Sequence, residues 1–468
     1  MGSQIKGPTR TETAMAAIRQ RVAAAPGTRL PSIRGLAEQL EVSKSTVVEA
    51  YDRLVATGEV VAKPGSGFFA ATRTRPFHLK DAGPQFDRAI DPLWIAHQSL
   101  ASPAPALLPG SGWLPGDWLP DDMLRSSMRS VSREQGANLT RYSSPKGFLP
   151  LREQLARRLN ERGIGADPGT ILLTDSATRA IDTICRFLLQ PGDTVLIDDP
   201  CYFNFQSTLQ AQRVQMVGIP YTESGPDLDR FAAACIEHRP KLYLTTAVLH
   251  NPTGASVSIG TAHRLLKLAE AHDLVLVEDG ISADFDSRPM PGLAALDGLD
   301  RVIYVGSFSK TLSASLRCGF IAARNDWIEG LTNLTLATSF GTSDLSAQIT
   351  CRLLTNGHYR RHLEALRPRL ARAMAVTTTQ LEKLGLDLWT RPEAGMFLWA
   401  KLPGELDSAE IAKCALEKGM MLAPGNVFSV SQGAGRYLRF NVSQCADKRV
   451  FDVLARCMSR SPGRAGLD

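Results

Sequence analysis

The chain has 468 residues, of which 44% are hydrophobic and 21% are charged. That length exceeds one ordinary hydrophobic core and predicts two or three domains, and the composition is typical of a globular protein. No apolar run approaches the ~20 residues of a membrane span, and the N-terminal stretch lacks the apolar core of a signal peptide. The eight cysteines form no CxxC pair, so we expect reduced thiols, no metal site and a cytoplasmic location.

The excess of positive charge is confined to the first part of the chain. Residues 1–80 contain 12 Lys and Arg against 6 Asp and Glu, whereas the other 388 residues contain 41 of each kind. The net charge of +6 therefore belongs to the N-terminal segment. A small basic segment joined to a neutral body is typical of a nucleic-acid-binding module attached to an enzyme-like domain.

Residues 8–71 predict three helices followed by a β-hairpin. Ser32 and Ser43 are good N-caps for the second and third helices, and Gly58 ends the third. Two strand-like runs then flank a turn at 64–67. This order, with a tight turn between the second and third helices, predicts a winged helix-turn-helix domain. The inward stripe of the third helix consists of Val47, Ala50, Tyr51, Leu54 and Val55.

The first turn of the third helix carries Lys44, Ser45 and Thr46. In helix-turn-helix domains this turn of the recognition helix reaches base edges in the major groove, while cations hold phosphates. The three residues are therefore candidates for DNA binding. The alternative is an exposed helix face on a small interaction domain.

The segment LPSIRGLAEQLEVSKSTVVEAYDRLVATGEVVAKPGSGFFA, residues 30–70, resembles the GntR-type DNA-binding domain nearly end to end. The resemblance implies that Arg34, Lys44, Thr46 and the wing tip at Gly65 contact DNA. Lys44 stands where arginine is commoner, which keeps the charge but loses the two-pronged reading of guanine.

Residues 72–108 contain several prolines and no sustained periodicity, which predicts a linker with a short helix near DPLWIAHQSL at 91–100. From 109 to 460, strand-like runs alternate with amphipathic stretches, which predicts an α/β body with a mainly parallel sheet. We expect a large part at about 110–340 and a smaller α+β part at about 341–460. The strand-like runs of the large part are 171–174, 194–197, 242–246, 274–277 and 302–305.

A lone lysine, Lys310, follows the last of these runs in GSFSKTLSASLRCGF. The simplest interpretation is a strand-to-helix turn with a surface lysine. A lysine that forms a Schiff base with pyridoxal phosphate needs phosphate donors, a carboxylate for the pyridine nitrogen, a donor for the ring oxygen and an aromatic lid. The chain supplies candidates for each need in Ala177 and Thr178 of TDSATRAID, Tyr202 of DPCYFNF, Asn251 of HNPTG, Asp279 of VLVEDG, and Ser307, Ser309 and Arg317 around the lysine.

The body resembles fold-type I aminotransferases over about residues 110–460, and with its head the whole chain resembles the MocR subfamily of GntR-type transcription regulators. The resemblance implies two catalytic residues, Lys310 as the internal aldimine and Asp279 on the pyridine nitrogen. It gives the other cofactor and effector roles to Asn251 on the ring oxygen, Tyr202 over the ring, Arg317, Ser307 and Ser309 on the phosphate, Tyr142 on the phosphate of the partner subunit, and Arg439 on a substrate carboxylate.

Two positions depart from the pattern of that family. Ile281 stands where a tyrosine usually donates to the ring oxygen, and isoleucine has no donor. Ser176 replaces the usual glycine at the phosphate turn, so we expect a restricted backbone angle there. These departures favour retained cofactor binding with altered catalysis.

Three hypotheses about function follow. The leading one is a homodimeric regulator that binds paired or repeated DNA sites and senses a small amine or amino acid through aldimine exchange on Lys310. In a variant of it, pyridoxal phosphate itself is the signal. The competing hypothesis is a working aminotransferase with an accessory DNA-binding head.

Overall fold

The computed structural model describes residues 9–63, 65–71, 92–100, 106–134, 139–286 and 291–460. The chain forms two compact units that divide near residue 78, here called the head and the body. None of the helices in the described ranges combines the length and the apolar character that crossing a membrane requires.

The head contains three helices, α1 (Arg10–Ala24), α2 (Ile33–Leu40) and α3 (Lys44–Ala56), and a hairpin of β1 (Val60–Lys63) with β2 (Gly67–Ala70). Thr9, Ser32 and Ser43 cap the helices through their hydroxyl groups. The predicted order of helices and wing is confirmed. Val55 is the exception within the predicted stripe, since it is 36% exposed while the other four members are buried.

The large part of the body is built on an eight-stranded sheet in the order β3-β10-β9-β8-β7-β4-β5-β6. Strands β9, β8, β7, β4 and β5 are mutually parallel, whereas β10 is antiparallel to both of its neighbours and β6 is antiparallel to β5. Apolar side chains from both faces of the sheet pack against helices in two clusters. The strands are β3 (Ile171–Thr174), β4 (Thr194–Asp199), β5 (Gln215–Thr222), β6 (Gly225–Pro226), β7 (Leu242–Thr245), β8 (Val275–Asp279), β9 (Val302–Ser307) and β10 (Gly319–Ala322).

All five predicted strand runs are strands, with ends that differ by up to two residues. Strands β5, β6 and β10 were not predicted. The mainly parallel sheet is confirmed, with antiparallel pairings only where β10 and β6 join it. The short helix expected within the linker is α4 (Pro92–Leu100), whose Ile95 is buried in the body core. The remaining helices of the large part are α5 (Asp121–Arg133), α6 (Leu149–Asn160), α7 (Ala177–Leu188), α8 (Phe203–Ala211), α9 (Leu228–His238), α10 (Ile259–Ala271), α11 (Leu293–Asp297), α12 (Asn325–Ser339) and α13 (Asp344–Thr355).

The C-terminal elements form an α+β part that begins at α14 (His358–Lys383), whereas the expected boundary lay at about residue 341; α13 packs against α5 and α6 of the large part. The antiparallel sheet of this smaller part has the order β11-β12-β14-β13. The long helix α14 contains Pro368, which removes a helix hydrogen bond. The elements are α14 (His358–Lys383), β11 (Asp387–Leu388), β12 (Phe397–Lys401), α15 (Ser408–Glu417), β13 (Ala423–Pro424), β14 (Tyr437–Asn441) and α16 (Arg449–Arg460).

Residues 107–113, here called the strap, run along this smaller part although they precede every strand of the large sheet in sequence. The backbone of Leu107 donates to the carbonyl of Gly419 and accepts from the amide of Met421. At Gly110 the approach is so close that a Cβ atom would lie 2.4 Å from the carbonyl carbon of Leu422. Only glycine fits at this position.

One expectation about the cysteines is wrong. Cys414 of α15 and Cys457 of α16 form a disulfide, whereas we expected eight reduced thiols. The two residues are 43 apart in sequence, and it is the packing of α15 against α16 that brings them together. Sequence spacing alone carries no signal for such a pair. The other six cysteines are free and buried.

Candidate functional site

A cavity lies where the parallel strands of the large sheet end. The loops that follow β4, β7, β8 and β9 carry its polar side chains, which is the usual place for a ligand in an open α/β sheet. The cavity contains about 1060 Å³ of empty space, part of it open to solvent. Eight of the ten predicted cofactor ligands line it, namely Ala177, Thr178, Tyr202, Asn251, Asp279, Ser309, Lys310 and Arg317.

Lys310 lies in the turn after β9, on the wall of this cavity. Burial and the neighbouring Arg439 lower the pKa of Lys310 to about 8, although Asp279 acts in the opposite direction. Only a neutral amine is a nucleophile, and an ordinary lysine is almost fully protonated at neutral pH. A much larger fraction of this lysine is therefore neutral at neutral pH than of a surface lysine, which favours its addition to a carbonyl carbon.

Asp279 is the last residue of β8 and is 4% exposed. Burial raises the pKa of Asp279 to about 6, while the backbone N–H of Ile281, 3.1 Å from Oδ1, and the charge of Lys310 lower it. The group is therefore mostly a carboxylate at neutral pH. Such a buried carboxylate suits a protonated ring nitrogen, because each stabilises the charge of the other.

The N-terminus of α7 forms an anion cradle at one end of the cavity, since its first backbone N–H groups have no partner within the helix. Ala177 and Thr178 lie at this terminus, and Ser309 and Arg317 line the cavity beside it. The combination of backbone donors, hydroxyl groups and a guanidinium is the donor set that a phosphate requires.

Ser176 is the N-cap of α7, and its Oγ accepts the N–H of Arg179 at 3.1 Å. Its φ of −176° is extended backbone that any residue adopts, so our expectation of a restricted angle is wrong. The glycine that this turn needs is Gly319 on the adjacent strand. A Cβ atom there would lie 2.8 Å from the carbonyl carbon of Ser176 and 3.0 Å from the nitrogen of Ala177.

Ser307 does not line the cavity, in contrast to Ser309. Its Oγ lies 2.9 Å from that of Ser309 and donates to the carbonyl of Cys318 at 3.2 Å. Ser307 is 8% exposed, so its hydroxyl group supports Ser309 from behind. The resemblance predicts that Ser307 contacts the phosphate directly, but Ser307 lies outside the cavity wall.

Arg439 and Asn251 form the opposite end of the site. Arg439 is fully buried on β14, and burial lowers its pKa to about 9. Its Nη1 donates to Oδ1 of Asn251 at 2.9 Å, and its Nη2 donates to the carbonyl of Gly110 at 2.7 Å. The bond to Asn251 fixes the amide so that its Nδ2 is the group able to donate to a ligand. The Nε of Arg439 is buried without a hydrogen-bond partner.

Tyr202 and Ile281 also lie on the cavity wall. Tyr202 follows β4, and its ring packs at 4.9 Å from Phe203 and 5.4 Å from Phe205. Ile281 brings an apolar side chain and no donor to the position where a ring-oxygen donor was expected.

Tyr142 lies outside the cavity of its own chain. It is 78% exposed, and its ring is 4.9 Å from that of Phe340, which is 62% exposed. Leu139 and Leu345 are exposed nearby in sequence. An aromatic and aliphatic surface of this kind is typical of an interface between subunits.

The sequence did not predict several residues of the cavity wall, and four of these are Gly112, Trp113, Met396 and Phe397. They come from the strap and from the start of β12, which lie far from the lysine in sequence. The only available signal was the glycine pair of the segment PGSGWLP, and it has no specific meaning on its own.

The head presents its candidate DNA-binding residues at the start of α3 and on the wing. Lys44 and Ser45 are exposed and Thr46 is half-buried. Oγ of Ser43 lies 2.8 Å from Oγ of Ser45 and 2.8 Å from Oγ1 of Thr46. Arg34 has a side chain that is 79% exposed, with Glu38 at 3.3 Å. Gly65 has a φ of +72° in the turn between β1 and β2, a conformation that favours glycine.

The residues of the cavity fit pyridoxal 5′-phosphate. An anion cradle, a buried carboxylate, an amide donor and an amine of lowered pKa lie around one space, and the unpartnered Nε of Arg439 adds a donor for a further anion. Each ligand group of that cofactor has a counterpart in this set.

Comparison with known proteins gives the same result. Residues 111–456 match the family "Aminotransferase class I and II", and residues 10–70 match "Bacterial regulatory proteins, gntR family". The chain is 29% identical to the HTH-type transcriptional regulator YdfD of Bacillus subtilis, over 89% of this chain and 88% of that protein.

Two solved structures are similar to the body. One is the α-aminoadipate aminotransferase LysN of Thermus thermophilus in complex with N-(5′-phosphopyridoxyl)-L-leucine, with 26% identity, a TM-score of 0.70 and coverage of 82% of this chain and 98% of the other. The second is the kynurenine aminotransferase of Pyrococcus horikoshii, with 25% identity, a TM-score of 0.73 and coverage of 82% and 97%.

These matches confirm the predicted fold, the pyridoxal phosphate cofactor and the function as a DNA-binding transcriptional regulator. The chain belongs to the aminotransferase class I and II family, and its GntR-type head gives it the domain combination of the MocR transcriptional regulators.

Proposed function

We propose that this regulator senses a small amine or amino acid that displaces Lys310 from the cofactor, and that this exchange changes how the protein binds DNA. The observation that carries the proposal is the placement of Lys310, Asp279, Asn251 and Arg439 around one cavity in a chain with a DNA-binding head. An effector switches such a protein by binding more tightly to one of its arrangements than to the other.

When bound, pyridoxal phosphate supplies a carbonyl carbon to which amines add and a ring that withdraws electrons. The residues of this chain then have separate tasks. Lys310 holds the resting state and accepts a proton when it is displaced, Asp279 keeps the ring nitrogen charged, and Asn251 orients the ring. Arg439 receives the carboxylate of an incoming amino acid.

We also infer a cytoplasmic homodimer that binds an operator with paired or repeated sites. Tyr142 and Phe340 support the dimer because both rings are exposed on one surface. In a dimer, Tyr142 would reach the phosphate cradle of the partner subunit. Two heads would then read two half-sites.

A mobility-shift experiment tests the role of the head. It measures how the full-length protein binds, at low ionic strength, to the DNA upstream of its own gene. We expect Lys44→Ala to weaken specific binding by about 1–3 kcal/mol, or roughly 5- to 150-fold in Kd. The control is Lys267→Ala, an exposed lysine on α10 of the body. Equal affinity of Lys44→Ala and the unaltered protein would remove this residue from the DNA interface.

Aminotransferase activity is the second candidate function, because the cavity keeps the lysine, the aspartate and the carboxylate-binding arginine. Ile281 argues against rapid turnover, because it cannot supply the hydrogen bond to the ring oxygen that a tyrosine gives at this position in the aminotransferases. We expect Ile281→Tyr to raise keto-acid formation by at least about tenfold. Rapid turnover by the unaltered protein, with no effect of the same amino acid on DNA binding, would favour the enzyme instead.

A further inference from the structure

Part of the cavity wall is apolar. Gly112 and Trp113 of the strap, with Met396 and Phe397 at the start of β12, form this part beside Lys310. Phe397 is fixed in place because its ring lies 4.4 Å from the guanidinium carbon of Arg439, which also lies 4.8 Å from the ring of Phe428. The carboxylate-binding cation is thus held between two aromatic rings.

The space for an α-amino acid can be located from Gly112. A Cβ atom at this residue would lie 3.8 Å from Nζ of Lys310 and 3.9 Å from Nη2 of Arg439. The gap above Gly112 therefore separates the amine that reacts from the guanidinium that binds a carboxylate. An α-carbon in this gap would place its amino group toward the lysine and its carboxylate toward the arginine.

The charged groups around the cavity are all accounted for by the cofactor and one carboxylate. Among the described residues that line it, the charged ones are Asp279, Lys310 and Arg317, and Arg439 lies at its edge. Asp279 serves the ring nitrogen, Arg317 the phosphate and Arg439 the α-carboxylate. The cavity wall offers no further charged side chain to the far end of an effector.

We propose that the effector is an α-amino acid with a single carboxylate and an apolar side chain, which lies against Trp113, Met396 and Phe397. The inference rests on the proposed sensing function and names its ligand class. The other polar residues of the wall, among them Asn204 and Thr208, are neutral, so a second carboxylate or an amine at the far end of the effector would lose water without gaining a partner of opposite charge. An apolar side chain instead gains from leaving water at the same wall.

The test is a titration of the full-length, cofactor-loaded protein with L-leucine, L-phenylalanine, L-glutamate and L-lysine, followed by the visible spectrum and by the mobility shift of its DNA. We expect half-saturation by leucine or phenylalanine at a concentration at least about tenfold below that of glutamate or lysine. We also expect Met396→Arg to reverse the order of leucine and glutamate, because it adds a cation to the apolar wall.

Gly112→Ala provides a second variant that does not disturb the fold, since its Cβ atom makes no contact shorter than 3.8 Å. It should retain the cofactor and raise the half-saturating concentration of every α-amino acid at least about tenfold, because it fills the gap. The matched control is Gly116→Ala, an exposed position with no atom within 4 Å of the new Cβ, which should respond as the unaltered protein does.

The outcomes separate the two levels of the proposal. A stronger response to glutamate or lysine than to leucine and phenylalanine would overturn the ligand class and leave amino-acid sensing intact. An unchanged response in Gly112→Ala would overturn the placement of the ligand above Gly112. If none of the four amino acids alters the spectrum or the DNA binding, the sensing function fails and the ligand class fails with it.

Discussion

Lys310→Ala should abolish the covalent attachment of the cofactor completely. In the unaltered protein, borohydride reduction should fix a phosphopyridoxyl group on the peptide that contains Lys310, and the visible absorption band should disappear in the same step. In the variant, neither the band nor the fixed group should be present, because no other lysine lines the cavity among the described residues. Peptide mass spectrometry and the visible spectrum measure the two effects.

The control for this experiment is Lys146→Ala. Lys146 is a half-buried lysine of the body whose Nζ donates to the carbonyl of Gly169 at 2.9 Å, away from the cavity. It should leave the band and the labelled peptide unchanged. A phosphopyridoxyl group on another lysine of the unaltered protein would show that Lys310 has been assigned the wrong role. Lys310→Ala should also bind DNA but no longer respond to an effector.

Asp284→Ala should destabilise the body strongly. The side chain of Asp284 is only 13% exposed, and it pairs with Arg158 at 2.9 Å and with Arg162. Tyr359 donates to the same carboxylate and lies 2.7 Å from Oγ1 of Thr311, the residue after the lysine. Removing the carboxylate leaves two partly buried guanidinium groups without their partner, which costs about 3–5 kcal/mol.

Urea unfolding followed by tryptophan fluorescence measures this loss in the body alone, since all six tryptophans lie beyond residue 80. The matched control is Asp273→Ala, whose side chain is 95% exposed and pairs with Arg301 at 3.0 Å. A surface pair of this kind contributes roughly 0–1 kcal/mol. Similar losses in both variants would show that the Asp284 cluster is no more important than an ordinary surface ion pair.

The stabilisation by Asp284 should also depend on pH. Burial alone would raise the pKa of Asp284, but Arg162, Arg158 and Tyr359 together hold it below its ordinary value. A carboxylate whose pKa is lowered by folding contributes fully above the pKa of the unfolded chain and loses that contribution as the pH falls through the folded value. The difference in stability between Asp284→Ala and the unaltered protein should therefore be constant near neutral pH and shrink only in acid.

The chemistry of the site could be predicted from the sequence because each ligand group sits in a short local motif. Asn251, Asp279 and Lys310 each follow a strand-like run, and the carboxyl ends of parallel strands meet at one edge of a sheet. Local motifs do not predict which distant segments of the chain will be in contact. This is why Trp113 and the disulfide of Cys414 with Cys457 escaped prediction.

Two other predictions failed because a residue type was interpreted without its backbone. Ser176 was expected to strain a turn, but the turn is extended there and the close approach falls on Gly319 of a strand that was not predicted. Ser307 was expected on the phosphate because the family resemblance gives it that role. In the structure it is the last residue of β9, and its hydroxyl group donates to the carbonyl of Cys318 instead of lining the cavity.

The strap sets a limit on how the chain can be shortened. Its backbone forms an isolated β-bridge to the smaller part, through hydrogen bonds to Gly419 and Met421. Asn441 donates from Nδ2 to the carbonyl groups of Ser111 and Trp113. A shortened protein that begins after residue 113 would expose this edge and lose one wall of the cavity. A body intended for crystallisation or ligand screening without its head should therefore start ahead of residue 92, so that the strap is retained together with α4, whose Ile95 is buried in the body core.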